Sequence, residues 1–117
     1  TALHELKLHE GASGPMATVF VRYEDPKTGE VTEIAKIFDT GQLLTSMEQA
    51  SAQFQLDTAV AEDAEILRDS YWAQDGSPKD VRALTQHVSR LLPNDPDVAE
   101  FARLVTRAIE IQEGDVT

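Results

Sequence analysis

Four oxygen-bearing side chains, Thr58, Glu62, Glu65 and Asp69, recur at spacings of four, three and four residues. Residues at these spacings share one face of an α-helix, and carboxylate oxygens are ligands that calcium prefers. The pattern allows a divalent-cation site, with Glu62, Glu65 and Asp69 as candidate metal ligands, or a face that binds a basic partner. It is most typical of a solvated helix face, because charged side chains at this spacing usually point to water.

Tyr71 and Trp72 are adjacent at the end of the same predicted helix. An exposed Tyr–Trp pair can anchor a protein partner, because these residues dominate the binding energy of many interfaces. The pair can instead close the end of a helical core, and the pattern favours this second interpretation. The first interpretation makes Tyr71 and Trp72 the candidate interaction residues.

Nothing else in the chain has the spacing of a catalytic or cofactor site. There is no cysteine, which excludes disulfides, thiolate nucleophiles and zinc–thiolate sites. The histidines, His4, His9 and His87, lack the spacing of paired metal ligands. Serine-nucleophile motifs and glycine-rich phosphate loops are also missing from the sequence. The sequence therefore predicts a domain that is not an enzyme, with no catalytic or cofactor-binding residues.

The chain has 117 residues and a net charge of −11, and this length is typical of a single domain. Residues 39–117 hold fifteen acids and six bases, so most of the negative charge lies in this part. Phosphate backbones bind positive surfaces, so this charge argues against nucleic acid as a partner. No window approaches the roughly 20 apolar residues that a membrane-spanning helix needs.

Residues 1–38 have the pattern of a small β-sheet. Residues 2–8 form a short apolar segment that predicts a strand, and residues 17–38 predict a β-hairpin around the turn residues Asp25–Gly29. Together they predict an antiparallel three-stranded sheet. A strand that begins at the first residue also predicts that the sequence is a piece of a longer protein.

Residues 42–112 have the pattern of helices. No Gly or Pro occurs from Met47 to Ser70, which predicts one long helix with Ser46 and Gln49 as its capping box. Apolar spacing predicts that one set of its residues faces inward: Val60, Ala64, Leu67 and Tyr71. Asp63 interrupts this stripe, so it either reaches water, which is the favoured interpretation, or pairs with Arg82 or Arg103.

Two cap-and-proline pairs, Ser77–Pro78 and Asp95–Pro96, predict the starts of a second and a third helix. The short connection between these helices predicts that they form an antiparallel pair. The apolar stripes are Val81, Leu84, Val88 and Leu91 in the second helix, and Val98, Phe101, Val105 and Ala108 in the third, with Leu104 and Ile111 beside them. The prediction is one α+β domain over residues 1–117, in which a three-stranded sheet precedes a three-helix, bundle-like half.

Four segments resemble, in order, parts of bacterial von Willebrand factor type A proteins. TALHEL resembles the strand that follows their metal-binding domain. The other three resemble the hairpin and the helical half of their C-terminal uncharacterised domain: ATVFVRYEDPKTGE, AVAEDAEILRDSYW and DVRALTQHV. The chain departs from the family pattern at Asp63, where a bulky apolar residue is expected. The resemblance implies a non-catalytic accessory domain that packs on a preceding type A domain or binds another protein. It also implies a bacterial protein of the cell envelope or periplasm, or an exported one. The alternative is a calcium-regulated binding module that uses the acidic helix face.

Overall fold

The computed structural model describes residues 1–114. The chain divides into two compact units: residues 4–45 form one, and residues 1–3 with the described residues from Ser46 onward form the other. The first unit contains a β-hairpin and the second contains three α-helices. The α+β class and the three helices are therefore confirmed.

The hairpin consists of β1 (Pro15–Glu24) and β2 (Val31–Asp39), which pair antiparallel. Its turn is held by the amide of Gly29, which donates to the Asp25 carbonyl at 2.8 Å, and by the amide of Asp25, which donates to the Glu30 carbonyl at 2.9 Å. The Asp25 carboxylate also accepts a hydrogen bond from the Lys27 amide at 2.7 Å. Gly29 has a φ of 71°, a conformation that glycine adopts without steric cost. The predicted hairpin and its turn are confirmed.

The predicted third strand is wrong: the sheet of residues 1–114 has two strands, and residues 2–8 lie outside it. A strand is maintained by the hydrogen-bonding ladder to its neighbour and by an apolar face that fixes the register. Leu3, Leu6 and Leu8 are spaced by three and then two residues, so they do not keep to one face. An apolar segment without this alternation has no preferred register on the edge of the hairpin.

The capping box lies at a different position from the one predicted. Asp39 caps a short 3-10 turn (Thr40–Gln42): its carboxylate accepts from the Gly41 amide at 2.8 Å, and its own amide donates to Gln42 Oε1 at 2.9 Å. The hydroxyl of Ser46 makes no capping hydrogen bond, and residues Met47–Gln49 form a separate 3-10 turn. The prediction of a box at Ser46 is therefore wrong.

The first helix, α1 (Ala52–Leu67), is shorter than predicted at both ends. Its N-cap is Ser51, whose hydroxyl accepts from the Phe54 amide at 3.2 Å. At its end, the Ser70 amide donates to the Glu65 carbonyl and the Asp69 amide donates to the Ile66 carbonyl, both at 3.0 Å. This pair of bonds is the Schellman motif, and it requires Asp69 to adopt a positive φ of 54°.

The other two helices begin where the sequence predicts. α2 (Pro78–Leu91) is capped by Ser77, and α3 (Pro96–Glu113) is capped by Asp95, each with proline in the first turn. Lys79 Nζ lies 3.0 Å from Glu113 Oε1, which joins the start of α2 to the end of α3. The two helices are therefore antiparallel, as predicted.

The core of the helical unit lies along α2, which packs against both α1 and α3. Val81, Val105 and Ile109 are buried together, and Ile66 and Phe101 pack against them. The predicted stripes of α2 and α3 are thus partly right, with Val88 and Val98 also buried. Leu91 of the second stripe is exposed instead, as are Leu104 and Ile111, which were predicted to lie beside the third stripe.

The predicted inward face of α1 is wrong. Val60, Ala64 and Leu67 are exposed, and the residues of α1 that are buried are Gln55 and Ala59. The packed side of the helix holds Gln55, Ala59 and Ile66, while Val60 and Leu67 are exposed. Ala59 lets α1 approach its neighbours closely, so packing rather than hydrophobicity determines which side faces the core.

Candidate interaction surface

The acidic residues of α1 do not form the continuous ridge that their spacing predicts. Glu65 Oε2 accepts a hydrogen bond from Arg68 Nη2 at 2.8 Å. A hydrogen bond from the Ser70 hydroxyl, and then the one from Arg68, hold the pKa of Glu65 below its usual value. The Thr58 hydroxyl is turned to the backbone, where it donates to the Phe54 carbonyl at 2.9 Å. Two members of the predicted ridge are therefore engaged within the helix.

Asp69 lies beyond the helix end, in the left-handed position of the Schellman motif. It therefore does not continue the helical spacing of Glu62 and Glu65. Within residues 1–114, no group of three His, Asp or Glu side chains is arranged to hold a metal ion. The three candidate metal ligands are close in sequence, but the helix end separates the last of them from the other two.

Asp63 is half-buried in α1. Partial burial disfavours the charged carboxylate and raises its pKa above the usual value. Among the described residues, neither Arg82 nor Arg103 forms an ion pair with it. Asp63 therefore keeps some access to water, as the favoured interpretation expects, but at a cost in desolvation.

A hollow of about 340 Å³ lies beside the start of α1 and is lined in part by Glu48, Gln55 and His87. Glu48 keeps a low pKa because its backbone amide and the Ser46 side chain donate hydrogen bonds to its carboxylate. Gln55 is 1% exposed; its Nε2 donates to the Ala50 carbonyl at 3.0 Å, while its Oε1 has no hydrogen-bond partner within residues 1–114. That oxygen is shielded from solvent.

The aromatic pair at the end of α1 is far more exposed than a core plug would be. Tyr71 is 72% and Trp72 is 83% exposed. Their rings meet edge to face, with centroids 5.3 Å apart and planes at 86°. The interpretation in which they close the helical core is therefore wrong, and their prediction as interaction residues is the one that matches their exposure.

The aromatic residues follow the end of α1 in the chain, and α1 itself has an exposed apolar side. Val60, Ala64 and Leu67 share one side of the helix through their spacing of four and three residues, and Leu67 is 62% exposed. We call Val60, Ala64, Leu67, Tyr71 and Trp72 the aromatic surface. Its members include all four residues that the sequence predicts as the inward stripe, and all four are exposed; Tyr71 lies beyond the end of α1, in the 3-10 turn Tyr71–Ala73.

The hairpin also has exposed apolar side chains on both faces. Cross-strand partners share a face, and the register pairs Val19 with Lys36 and Val21 with Ile34. One face holds six apolar residues among eight: Ala17, Val19, Val21, Tyr23, Ile34 and Phe38, with Thr32 and Lys36. The opposite face holds four apolar residues among eight: Phe20, Val31, Ala35 and Ile37, with Thr18, Arg22, Glu24 and Glu33. We call the first of these the apolar face of the hairpin.

The described residues have an α+β architecture in which a hairpin precedes three helices. The chain belongs to the family described as "Uncharacterized protein YfbK, C-terminal", whose model matches residues 4–111. Neither a curated protein nor a solved structure matches the chain. The match confirms that this is a C-terminal domain of unknown function. Within residues 1–114, no helix is long and apolar enough to cross a membrane.

Proposed function

We propose that this chain is a non-catalytic accessory domain that follows a von Willebrand factor type A domain and packs on it through the hairpin. The family match supports a C-terminal position in a larger protein. The order of the four resembling segments supports the type A partner. The same resemblance supports a location in the bacterial cell envelope or outside the cell.

The observation that carries the proposal is the exposure of the hairpin. A two-stranded hairpin is marginally stable in water unless a third strand or a packed face supports it. Val19, Val21, Tyr23 and Ile34 are each more than two-fifths exposed on the apolar face. Six apolar residues on one side of two long strands are more than a solvated hairpin needs, and a neighbouring domain would bury them.

The charges of the two faces indicate which one docks. The opposite face carries Arg22, Glu24 and Glu33, whereas the apolar face has Lys36 as its single charged residue. Lys36 Nζ lies 5.4 Å from the centre of the Phe38 ring, so even this cation is held against an aromatic face by a cation–π interaction. The apolar face can therefore be buried with little loss of charge hydration.

Hydroxyl-radical footprinting of the longer protein that contains the preceding domain tests this proposal. Tyr23 lies on the apolar face and Phe20 on the opposite face, with exposures of 51% and 63% in this chain. We expect Tyr23 to be protected in the longer protein while Phe20 stays reactive. If Tyr23 were labelled as strongly in the longer protein as it is in this chain, the docking of this face would be overturned.

A further inference from the structure

The aromatic surface lies in the helical unit and is not explained by docking of the hairpin. Tyrosine and tryptophan each present about 150–250 Å² when fully exposed, so the pair alone exposes on the order of 300 Å². Leu67 and Val60, which are 62% and 45% exposed, extend this area along α1. Apolar patches of about 300–600 Å² on a single protein often mark a binding site.

The backbone under the aromatic pair is held firmly. Tyr71 and Trp72 lie in a 3-10 turn (Tyr71–Ala73), where Ser70 caps the Trp72 amide and the Ala73 amide donates to the Ser70 carbonyl at 3.0 Å. The turn then packs closely at Gly76, where a Cβ would lie 3.0 Å from the Ala73 carbonyl oxygen and 3.4 Å from the Ile66 side chain. The rings are thus presented on a backbone that loses little freedom when a partner binds.

The charge of the segment that carries the aromatic surface indicates the chemistry of the partner. Residues 52–75 contain six acids and one base, a net charge of −5. The one base, Arg68, is 2.8 Å from Glu65 and so does not offset the charge of the others. A second copy of this chain would bring the same negative field and would be repelled, and so would anionic lipid or nucleic acid.

We propose that the aromatic surface binds a basic amphipathic segment of another protein. Apolar side chains of the bound segment pack on Val60, Leu67 and Tyr71, and its lysines or arginines are attracted by the negative charge of residues 52–75. A lysine or arginine of the segment lies over the face of the exposed Trp72 ring, because tryptophan is the aromatic residue that makes the strongest cation–π interaction. Apolar contact supplies the affinity, while the acidic surroundings select for positive charge and against other amphipathic segments.

The test measures binding of a fluorescein-labelled amphipathic peptide of leucine and lysine to the 117-residue chain by anisotropy. A peptide with glutamate in place of lysine tests the charge, and one with serine in place of leucine tests the apolar contact. We expect the leucine–lysine peptide to bind, both control peptides to bind at least about tenfold more weakly, and added salt to reduce its affinity. Since Trp72 is the single tryptophan, its emission should shift to shorter wavelength on binding.

Variants show where the peptide binds. Tyr71→Ala and Trp72→Ala should each weaken binding at least about tenfold, as expected of central aromatic residues in an interface. Leu104→Ala is the matched control, because Leu104 is 60% exposed but lies on α3, outside the aromatic surface. This variant should bind the leucine–lysine peptide with the same affinity as the parent chain. Equal binding of the glutamate peptide, or undiminished binding by the Tyr71 and Trp72 variants, would overturn the proposal.

Discussion

Asp69 provides a test that separates a helix-end role from a metal-binding role. It occupies the left-handed position of the Schellman motif with a φ of 54°, where glycine is the usual residue. Its carboxylate also lies beside the C-terminal end of α1, where the helix dipole disfavours negative charge. Replacement by glycine should relieve both costs. Asp69→Asn should relieve only the cost of the charge, because asparagine adopts the left-handed conformation about as readily as aspartate does.

The expected size follows from three effects. Relief of the left-handed conformation is worth about 1 kcal/mol for a residue with a Cβ, and the greater freedom of glycine in the unfolded chain takes back about 0.5 kcal/mol. Removal of the negative charge at the helix end adds about 0.5 kcal/mol at low salt. Asp69→Gly should therefore raise the free energy of unfolding by about 1 kcal/mol, or the Tm by about 4 °C, and Asp69→Asn by about half as much.

Urea denaturation at 20 mM and 1 M NaCl would measure these changes. The gain of Asp69→Asn should nearly disappear at high salt, where the Debye length is about 3 Å, while the backbone part of the Asp69→Gly gain should remain. If Asp69 were a calcium ligand, both variants would instead lose a thermal shift that calcium produces in the parent chain. A calcium-dependent shift in the parent that both variants lack, or destabilisation by Asp69→Gly, would refute the helix-end interpretation.

Two other side chains of α1 give further predictions. Because burial raises the pKa of Asp63 in the folded chain, its charge opposes folding above that pKa and has no effect below the pKa of the unfolded chain. Asp63→Asn should therefore stabilise the fold at pH 7 and not at pH 3; an equal gain at both values in urea denaturation would contradict this. Gln55→Met removes a buried acceptor without a partner, worth about 1–3 kcal/mol. It also removes the donor to the half-buried Ala50 carbonyl, which costs about 1 kcal/mol because water can reach that oxygen in part. It should raise the free energy of unfolding by about 1 kcal/mol, and destabilisation in the same assay would contradict the geometry at Oε1.

The features that could be predicted from the sequence are those decided by a few adjacent residues. Ser77 and Asp95 each precede a proline, and a capping side chain followed by a residue without an amide hydrogen specifies a helix start almost regardless of its surroundings. The hairpin turn is equally local, because Asp25 and Gly29 supply its hydrogen bonds and its positive φ. The start of α1 shows the limit of this rule, since its N-cap is Ser51 rather than Ser46, although both serines fit the preference for an N-cap.

The features that could not be predicted depend on which surface is covered by another part of the chain. Val60 and Leu67 on one side of α1, and Ala59 and Ile66 on the other, both have helical spacing. Hydrophobicity favours the first side, but the small Ala59 allows closer packing, and the unit buries the second. The third strand was mispredicted for a related reason, because an extended apolar segment such as residues 2–8 forms a strand only where an edge matches its register.

The two exposed surfaces differ in charge, and this difference separates the two proposals experimentally. Residues 4–45 carry seven acids and four bases, a net charge of −3, whereas residues 46–114 carry thirteen acids and six bases, a net charge of −7. Burial of the apolar face of the hairpin depends on hydrophobic contact, which salt does not weaken, whereas attraction of a basic segment is screened as salt rises. Protection of Tyr23 in the longer protein should therefore persist in 0.5 M NaCl, while binding of the leucine–lysine peptide should weaken. If salt affected both interactions equally, the assignment of hydrophobic contact to the hairpin and of charge attraction to the aromatic surface would be wrong.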